Sequence, residues 1–188
     1  GQNTMGYDSN SNFNRIDFEN HGFADRRAVG YGESHDEERL MYRNLTYGNG
    51  SVKTLTTALE RQKAFGAVFF TVPGPKMIWQ FAELENNQSI YTCDNRTVND
   101  ESTTVPGDCK LSTKTQVQWT ENWLSDTRRT SILSDWSKMI KLKTTEPVFM
   151  GDHTISPDAS NVRQRIYIYD NSFPTTQLRN VVVLANFS

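Results

Sequence analysis

The strongest constraint on the fold is one long segment with helical spacing and an abrupt stop after it. In SVKTLTTALERQKAFGAVFF, the apolar residues Val52, Leu55 and Leu59 recur three or four positions apart, as on one face of a helix. The following TVPGP contains two prolines and a glycine, which end a helix. The next residues, KMIWQF (76–81), are a short apolar run that predicts a strand.

A second strand is predicted before this helix, in RRAVGYGES (26–34). Its short apolar run is interrupted by Gly30 and Gly32, and we expect the strand to end near Ser34. The order is then strand, loop, helix, tight turn and strand. This is one β-α-β unit, so the sequence predicts a parallel pair of strands in an α/β fold.

The character of the chain changes after Pro147. The segment 123–143 predicts an amphipathic helix, and the residues after Pro147 show the short alternating runs of antiparallel strands. These strands are predicted in FMGDHTIS, RQRIYIYD and NVVVLANFS. We therefore predict a first domain over 1–146 and the start of an antiparallel β domain over 147–188.

Charge balance and hydropathy argue against two kinds of partner, nucleic acids and a membrane. The 188 residues carry 20 Lys plus Arg against 22 Asp plus Glu, so the formal net charge is −2. This balance argues against a broad nucleic-acid surface. No apolar run approaches the roughly 20 residues of a membrane helix, so we expect no membrane span.

The only two cysteines, Cys93 and Cys109, enclose a polar, turn-rich loop. Two cysteines at the ends of such a loop suggest a disulfide formed in an oxidising compartment. Two free thiols in a cytosolic protein are the alternative. Neither cysteine has the close spacing of a zinc or redox motif.

The densest group of ionisable side chains is YGESHDEERLMY (31–42), for which three interpretations exist. A metal site at His35 and Asp36 would need further ligands, and the chain has only two other histidines, His21 and His153. A capped, solvent-exposed helix start, with Ser34 as N-cap, needs no chemistry. Half of a carbohydrate site is the third: beyond the end of a parallel strand, a histidine and an aspartate can hold sugar hydroxyls.

The third interpretation is supported by a resemblance. YGESHDEERLMY, VKTLTTALERQKAFGAVFFTVPGPKMIWQFAEL and VVVLANFS together resemble the alpha-amylase family, glycoside hydrolase family 13. The resemblance covers nearly the whole chain and is closest to secreted or surface members from Bacteroidetes-type bacteria. It implies a secreted, periplasmic or cell-surface bacterial protein that acts on α-1,4-linked glucan oligosaccharides or polysaccharides with retention.

The resemblance also implies a fold. The segment 29–34 is similar to the seventh strand of the family's (β/α)8 TIM barrel, and 76–81 is similar to the eighth. The helices 52–70 and 123–143 are similar to the last two barrel helices, and the strands after Pro147 to the start of the C-terminal β domain. We therefore expect the C-terminal part of a barrel, whose partner is the missing N-terminal part of the same barrel.

Two site residues follow from the same resemblance. His35 matches the family's sugar-binding histidine, and Asp36 matches the aspartate that contacts substrate and stabilises the transition state. Arg39 is expected to orient the acids beside it. No cofactor is required for this chemistry, and no metal ligands are assigned; a structural calcium ion is compatible with the family, with unknown ligands.

Departures from the family pattern leave other functions open. Ser34 stands where many members have Asn, and Ala82 stands where Gly is usual, so a methyl group would be strained there if the backbone needed a positive φ. The resemblance implies that the nucleophile and the general acid come from upstream strands, so we expect the isolated chain to be inactive. The alternative is a non-catalytic glycan-binding or structural relative.

Trp79 and Glu83 are further candidate site residues, for sugar contact or for structural roles.

Overall fold

The computed structural model describes residues 1–93, 96–98, 118–155 and 162–188. Four α-helices lie in these ranges: Gln2–Met5 (α1), Leu40–Tyr47 (α2), Leu55–Thr71 (α3) and Thr127–Thr145 (α4). Five strands accompany them: Gly30–Tyr31 (β1), Lys76–Met77 (β2), Asp152–Ile155 (β3), Arg163–Tyr169 (β4) and Asn180–Asn186 (β5). Short 3-10 helices span Asn14–Ile16, Glu19–His21, Gly50–Lys53, Ala82–Leu84, Gln118–Glu121, Trp123–Ser125 and Pro147–Met150.

The predicted parallel pair is present. Gly30 of β1 lies opposite Lys76 of β2, and Tyr31 lies opposite Met77. Both strands are shorter than predicted, since only two residues of each are paired, and the chain bends at Gly32 directly after β1. Gly32 allows this bend beside α3: an added Cβ would lie 2.6 Å from the Phe65 ring. Membership of the pair in a (β/α)8 barrel stays a prediction.

Helix α3 connects the two strands and carries much of the core. Its buried apolar residues include Leu59, as the sequence pattern predicts, and also Phe65 and Phe69. It ends at Thr71, just before Pro73, which has no backbone N–H to continue the ladder. The predicted start at residue 52 falls instead in the preceding 3-10 helix.

Helix α4 packs closely against α3. The predicted helix over 123–143 is divided into a 3-10 turn and α4, and the Asp126 side chain caps α4 by accepting from the backbone N–H of Arg128. The closest approach is at Gly66, where an added Cβ would lie 2.4 Å from Trp136 Nε1. That indole nitrogen donates to the carbonyl oxygen of Gln62 at 3.1 Å.

Strands β3, β4 and β5 form the predicted antiparallel sheet in that order. Ile166 and Ile168 of β4 are fully buried, and β5 lies against α3. These residues belong to the same apolar cluster as Phe69 and Trp136. The core therefore continues across the predicted boundary at 146.

No helix in the described ranges is both long enough and apolar enough to cross a bilayer.

Candidate functional site

The loop 33–39 connects β1 to α2 and carries the residues singled out in the sequence. The predicted helix start at Ser34 is wrong, because α2 begins at Leu40 with Arg39 in the N-cap position. Ser34 Oγ donates to Glu37 and accepts from the backbone N–H of Asp36 at 3.2 Å. Such local side-chain hydrogen bonds stabilise a turn at the expense of a helix.

A buried ion pair closes this loop. Arg39 Nη1 donates to Glu33 Oε1 at 2.8 Å, and only 5% and 7% of the two side chains are exposed. Glu33 Oε2 accepts from the backbone N–H of Leu40 at 2.8 Å. Burial raises the pKa of Glu33, and the charge and hydrogen bond of Arg39 partly offset this effect.

Arg39 also ties the loop to the chain after β2. Its Nη1 donates to the carbonyl oxygen of Gln80 at 2.7 Å. A second tie involves Glu38, whose carboxylate accepts from Ser89 Oγ at 2.5 Å and from the backbone N–H of Ile90 at 3.0 Å. The loop is therefore fixed at both its start and its end, although it is neither helix nor strand.

His35 and Asp36 project from the middle of this fixed loop. Their side chains are 66% and 70% exposed, and His35 Nε2 lies 3.2 Å from Asp36 Oδ2. The His35 ring lies 5.8 Å from the ring of Trp79, which is half-buried just after β2. The carboxyl ends of the two parallel strands therefore bring together an imidazole, a carboxylate and an indole.

This arrangement has the chemistry of a polar ligand site with an apolar wall. A carboxylate accepts hydrogen bonds from hydroxyl groups, and an imidazole donates or accepts one more. An indole offers a flat apolar surface with one polar edge. The exposure of His35 and Asp36 leaves these groups accessible from solvent.

The segment after β2 contains a buried acid that the sequence analysis missed. Glu85 is 3% exposed, and its Oε1 has no hydrogen-bond partner. Burial raises its pKa well above the usual value, the nearby charge of Glu33 adds to this, and Arg129 opposes it. Nothing in the polar sequence ELENNQ distinguishes this acid from an exposed one.

The backbone around Glu85 is held in an uncommon conformation. Phe81 and Glu85 both have a φ of 59°, in the left-handed region that non-glycine residues rarely adopt. Arg129 stabilises the segment by donating to the carbonyl oxygens of Leu84 and Glu85. Ala82 has no positive φ, so its methyl group is not strained there.

The other candidates have more ordinary surroundings. Glu83 lies in the half-buried 3-10 turn after Phe81. Trp123 is buried, whereas Trp119 is 75% exposed and meets the Phe81 ring edge-on at 4.9 Å.

Cys93 is disulfide-bonded, as suggested by the sequence; Cys109 lies outside the described residues.

Metal-ligating side chains do not gather at His35 in the described part of the chain. The one group of three there is Asp17, Glu19 and His153, whose ligand atoms lie within 4.8 Å of one another. His153 Nε2 is already bonded to Asp17 Oδ1 at 2.9 Å. The metal interpretation of His35 and Asp36 therefore gains no further ligand from the described residues.

Comparison of the sequence with models of known protein families, and with curated proteins, finds no match.

Proposed function

We propose that this chain is part of a retaining glycoside hydrolase that acts on α-1,4-glucans, and that His35 and Asp36 contact the sugar. The observation that carries this proposal is the exposed pair His35–Asp36 beside Trp79, beyond the carboxyl ends of β1 and β2. Active sites of parallel α/β barrels collect at this end of the strands. The resemblance of the surrounding motifs to the alpha-amylase family supports the same assignment.

Each side chain has a defined role in this proposal. The Asp36 carboxylate accepts hydrogen bonds from neighbouring hydroxyls of one sugar ring, and His35 binds a further hydroxyl. As the ring flattens toward an oxocarbenium ion, these bonds strengthen, so they stabilise the transition state more than the bound substrate. Trp79 offers an apolar surface to the ring's C–H groups.

The buried pair Glu33–Arg39 positions the reacting loop. Arg39 spans from Glu33, two residues before His35, to the carbonyl oxygen of Gln80, one residue after Trp79. A displacement of about 1 Å in such a site can cost on the order of 100-fold in rate. Arg39 is therefore a positioning residue, because it fixes the two segments that carry the sugar contacts relative to each other.

The chain does not supply the whole reaction in this proposal. Retaining hydrolysis needs a nucleophilic carboxylate and a general acid about 5 Å apart. By analogy with the alpha-amylase family, both would come from upstream strands of the barrel. We therefore expect no starch hydrolysis by the isolated 188 residues, and detectable hydrolysis by the purified chain would contradict this division of roles.

The decisive experiment is Asp36→Asn in the full-length enzyme. The substitution keeps the size of the side chain and removes its charge, so we expect turnover of maltoheptaose to fall by about 100-fold or more with the fold retained. Glu60→Gln, an exposed carboxylate on α3, is the matched control. Unchanged turnover in Asp36→Asn removes Asp36 from the mechanism. Glucan binding without any turnover in the wild type favours the non-catalytic alternative.

A further inference from the structure

The two edge strands of the antiparallel sheet differ in length and in charge. Strands β3 and β5 are the edges, because β4 lies between them. β3 has four residues, and its Asp152 forms an ion pair with Arg26 at 3.5 Å. β5 has seven residues, and its sequence NVVVLAN contains neither a charged residue nor a proline. Short length, charge and proline prevent an edge strand from pairing with another chain, so β5 is the unprotected edge.

The free side of β5 leaves apolar side chains uncovered on both faces of the sheet. In the described part of the chain, β5 pairs with β4 alone. On the outer face, Val182 and Leu184 are 58% and 73% exposed. On the inner face, Val181 and Val183 pack against the core but are only partly buried, whereas Ile168 of the central strand is fully buried. A further strand beside β5 would therefore cover apolar surface on both faces.

The sequence of β5 is complementary to itself in the antiparallel direction. A two-fold axis through Val183 places Val182 of one copy opposite Leu184 of the other, on the outer face. On the inner face, the same axis places Val181 opposite Ala185, and Val183 opposite the same residue of the other copy. Apolar residues therefore meet apolar residues on both faces, and such cross-strand pairs stabilise antiparallel strands.

The polar and charged residues agree with this register. The axis places Asn180 opposite Asn186, and both are exposed, so their amide groups can donate to and accept from each other. The nearest charged residue along the chain is Arg179, just before the strand. Its two copies would lie at opposite ends of the ladder, roughly 25 Å apart along the strands. Like charges are therefore not opposed across the axis, where they would be destabilising.

We propose that β5 is an interface between two copies of this chain, which pair their β5 strands antiparallel about a two-fold axis at Val183. The two three-stranded sheets then join into one sheet in the order β3-β4-β5-β5-β4-β3. The backbone groups on the free side of β5 gain hydrogen-bond partners, and a second copy is the occupant that the strand's own sequence matches. The interface uses neither His35 nor Asp36, so it does not depend on the proposed sugar site.

The mass of the 188-residue chain in solution is the first test. Sedimentation equilibrium over concentrations from about 1 to 100 µM covers the usual range of moderate affinities. We expect the mean mass to rise from that of the monomer to that of the dimer and to stop there, because a two-fold interface is closed. A monomer throughout, as expected if β5 pairs only with a different protein, overturns the proposal. Growth beyond the dimer also overturns it.

Charge substitutions on the outer face test the register. Val182→Lys with Leu184→Lys opposes lysine with lysine in both outer pairs, so the dimer dissociation constant should rise by about 10-fold or more. Val182→Lys with Leu184→Glu instead opposes lysine with glutamate of the other copy. This second variant should dimerise at least several-fold more tightly than the first. Both positions are exposed, so the fold should be retained, and far-UV circular dichroism checks this.

A matched control separates this pairing from a general effect of added charge. Phe23→Lys with Met150→Lys also adds two lysines, at residues that are 55% and 59% exposed and lie outside the sheet. It should leave the dissociation constant unchanged. A dimer that persists unaltered with two lysines in β5 overturns the interface. Equal weakening by both β5 double variants, or by the control, overturns the register at Val183.

Discussion

Buried charged groups are stabilised in different ways at the two ends of the β1–β2 pair. At the carboxyl end, the buried carboxylate of Glu33 is paired with Arg39 and with a backbone N–H group. At the amino end, Lys76 of β2 and Lys143 of α4 both donate to the carbonyl oxygen of Gly74, at 3.0 and 2.7 Å. The carboxyl end therefore pairs opposite charges. The amino end holds two lysines beside one carbonyl oxygen, and burial, followed by the charge of Lys143, lowers the pKa of Lys76 to about 7.

This difference indicates which groups at each end can bind a ligand or change their protonation with pH. At the carboxyl end the paired, buried residues are fixed, and the groups free to meet a ligand are the exposed side chains of His35 and Asp36. At the amino end, burial lowers the pKa of Lys76 to about 7 and the pKa of Lys143 to about 8. The two ends should therefore differ in how they respond to loss of a partner and to pH.

The largest expected effect is at the buried ion pair. Arg39→Met leaves the Glu33 carboxylate without its partner in a buried site, so the free energy of unfolding should fall by about 3–5 kcal/mol. Urea denaturation of the chain measures this loss. The double variant Glu33→Gln with Arg39→Met removes both charges and should recover a large part of the stability. Equal losses in the single and the double variant would show that the pair has no such role.

The next effect concerns the unpaired acid Glu85. Its raised pKa means that the folded state binds a proton which the unfolded state releases above pH 4.5. Stability from this group is therefore full below pH 4.5 and is lost as pH rises toward the folded pKa, by up to roughly 1.4 kcal/mol per pH unit.

Glu85→Gln is the variant that isolates this contribution, because its amide does not titrate. The difference in unfolding free energy between wild type and variant should change steadily with pH from 4.5 upward. A difference that is constant across that range would mean that Glu85 ionises alike in the folded and unfolded chains.

The amino end should give the opposite slope. The folded pKa of Lys76, about 7, is below its ordinary value of 10.5, so the unfolded state binds more protons between these two values. Stability from this group therefore rises with pH across that window. Lys76→Met should remove part of the rise, whereas Lys141→Met on the exposed surface of α4 should not. Thermal unfolding at several pH values between 7 and 10 compares the two variants.

The smallest effect on stability is expected at the exposed pair. Asp36→Asn alters a side chain that is 70% exposed, so the free energy of unfolding should change by no more than about 0.5 kcal/mol. A loss as large as that expected for Arg39→Met would place Asp36 with the structural residues rather than with the ligand contacts. Chemical denaturation beside Arg39→Met gives the comparison directly.

The elements set by local pattern were predictable from the sequence. The helical spacing before Pro73 located α3, the β-α-β order predicted the parallel pair, and the alternation after Pro147 predicted the antiparallel sheet. These features depend on residues close together in the chain. The early end of β1 was not predicted, because the bend at Gly32 lies against Phe65 of α3, far away in the sequence.

The interior of the candidate site could not be predicted from the same patterns. His35 and Asp36 were identified from their motif, but the start of α2 was misplaced, because Ser34 looks like an N-cap and instead stabilises a turn. The partner of Glu33 is six residues away, and Glu85 is buried only because of its tertiary neighbours. Sequence alone gives the acids but not which of them are buried.

The proposed sugar site is tested most directly by titrating the chain with maltoheptaose and following the ring signals of His35 and the indole signal of Trp79 by NMR. We predict saturable shifts at both residues, with Trp119 unaffected, and weaker binding in Asp36→Asn. Shifts confined to other residues, or binding that Asp36→Asn leaves unchanged, would contradict a glucan site at the carboxyl end of the strand pair.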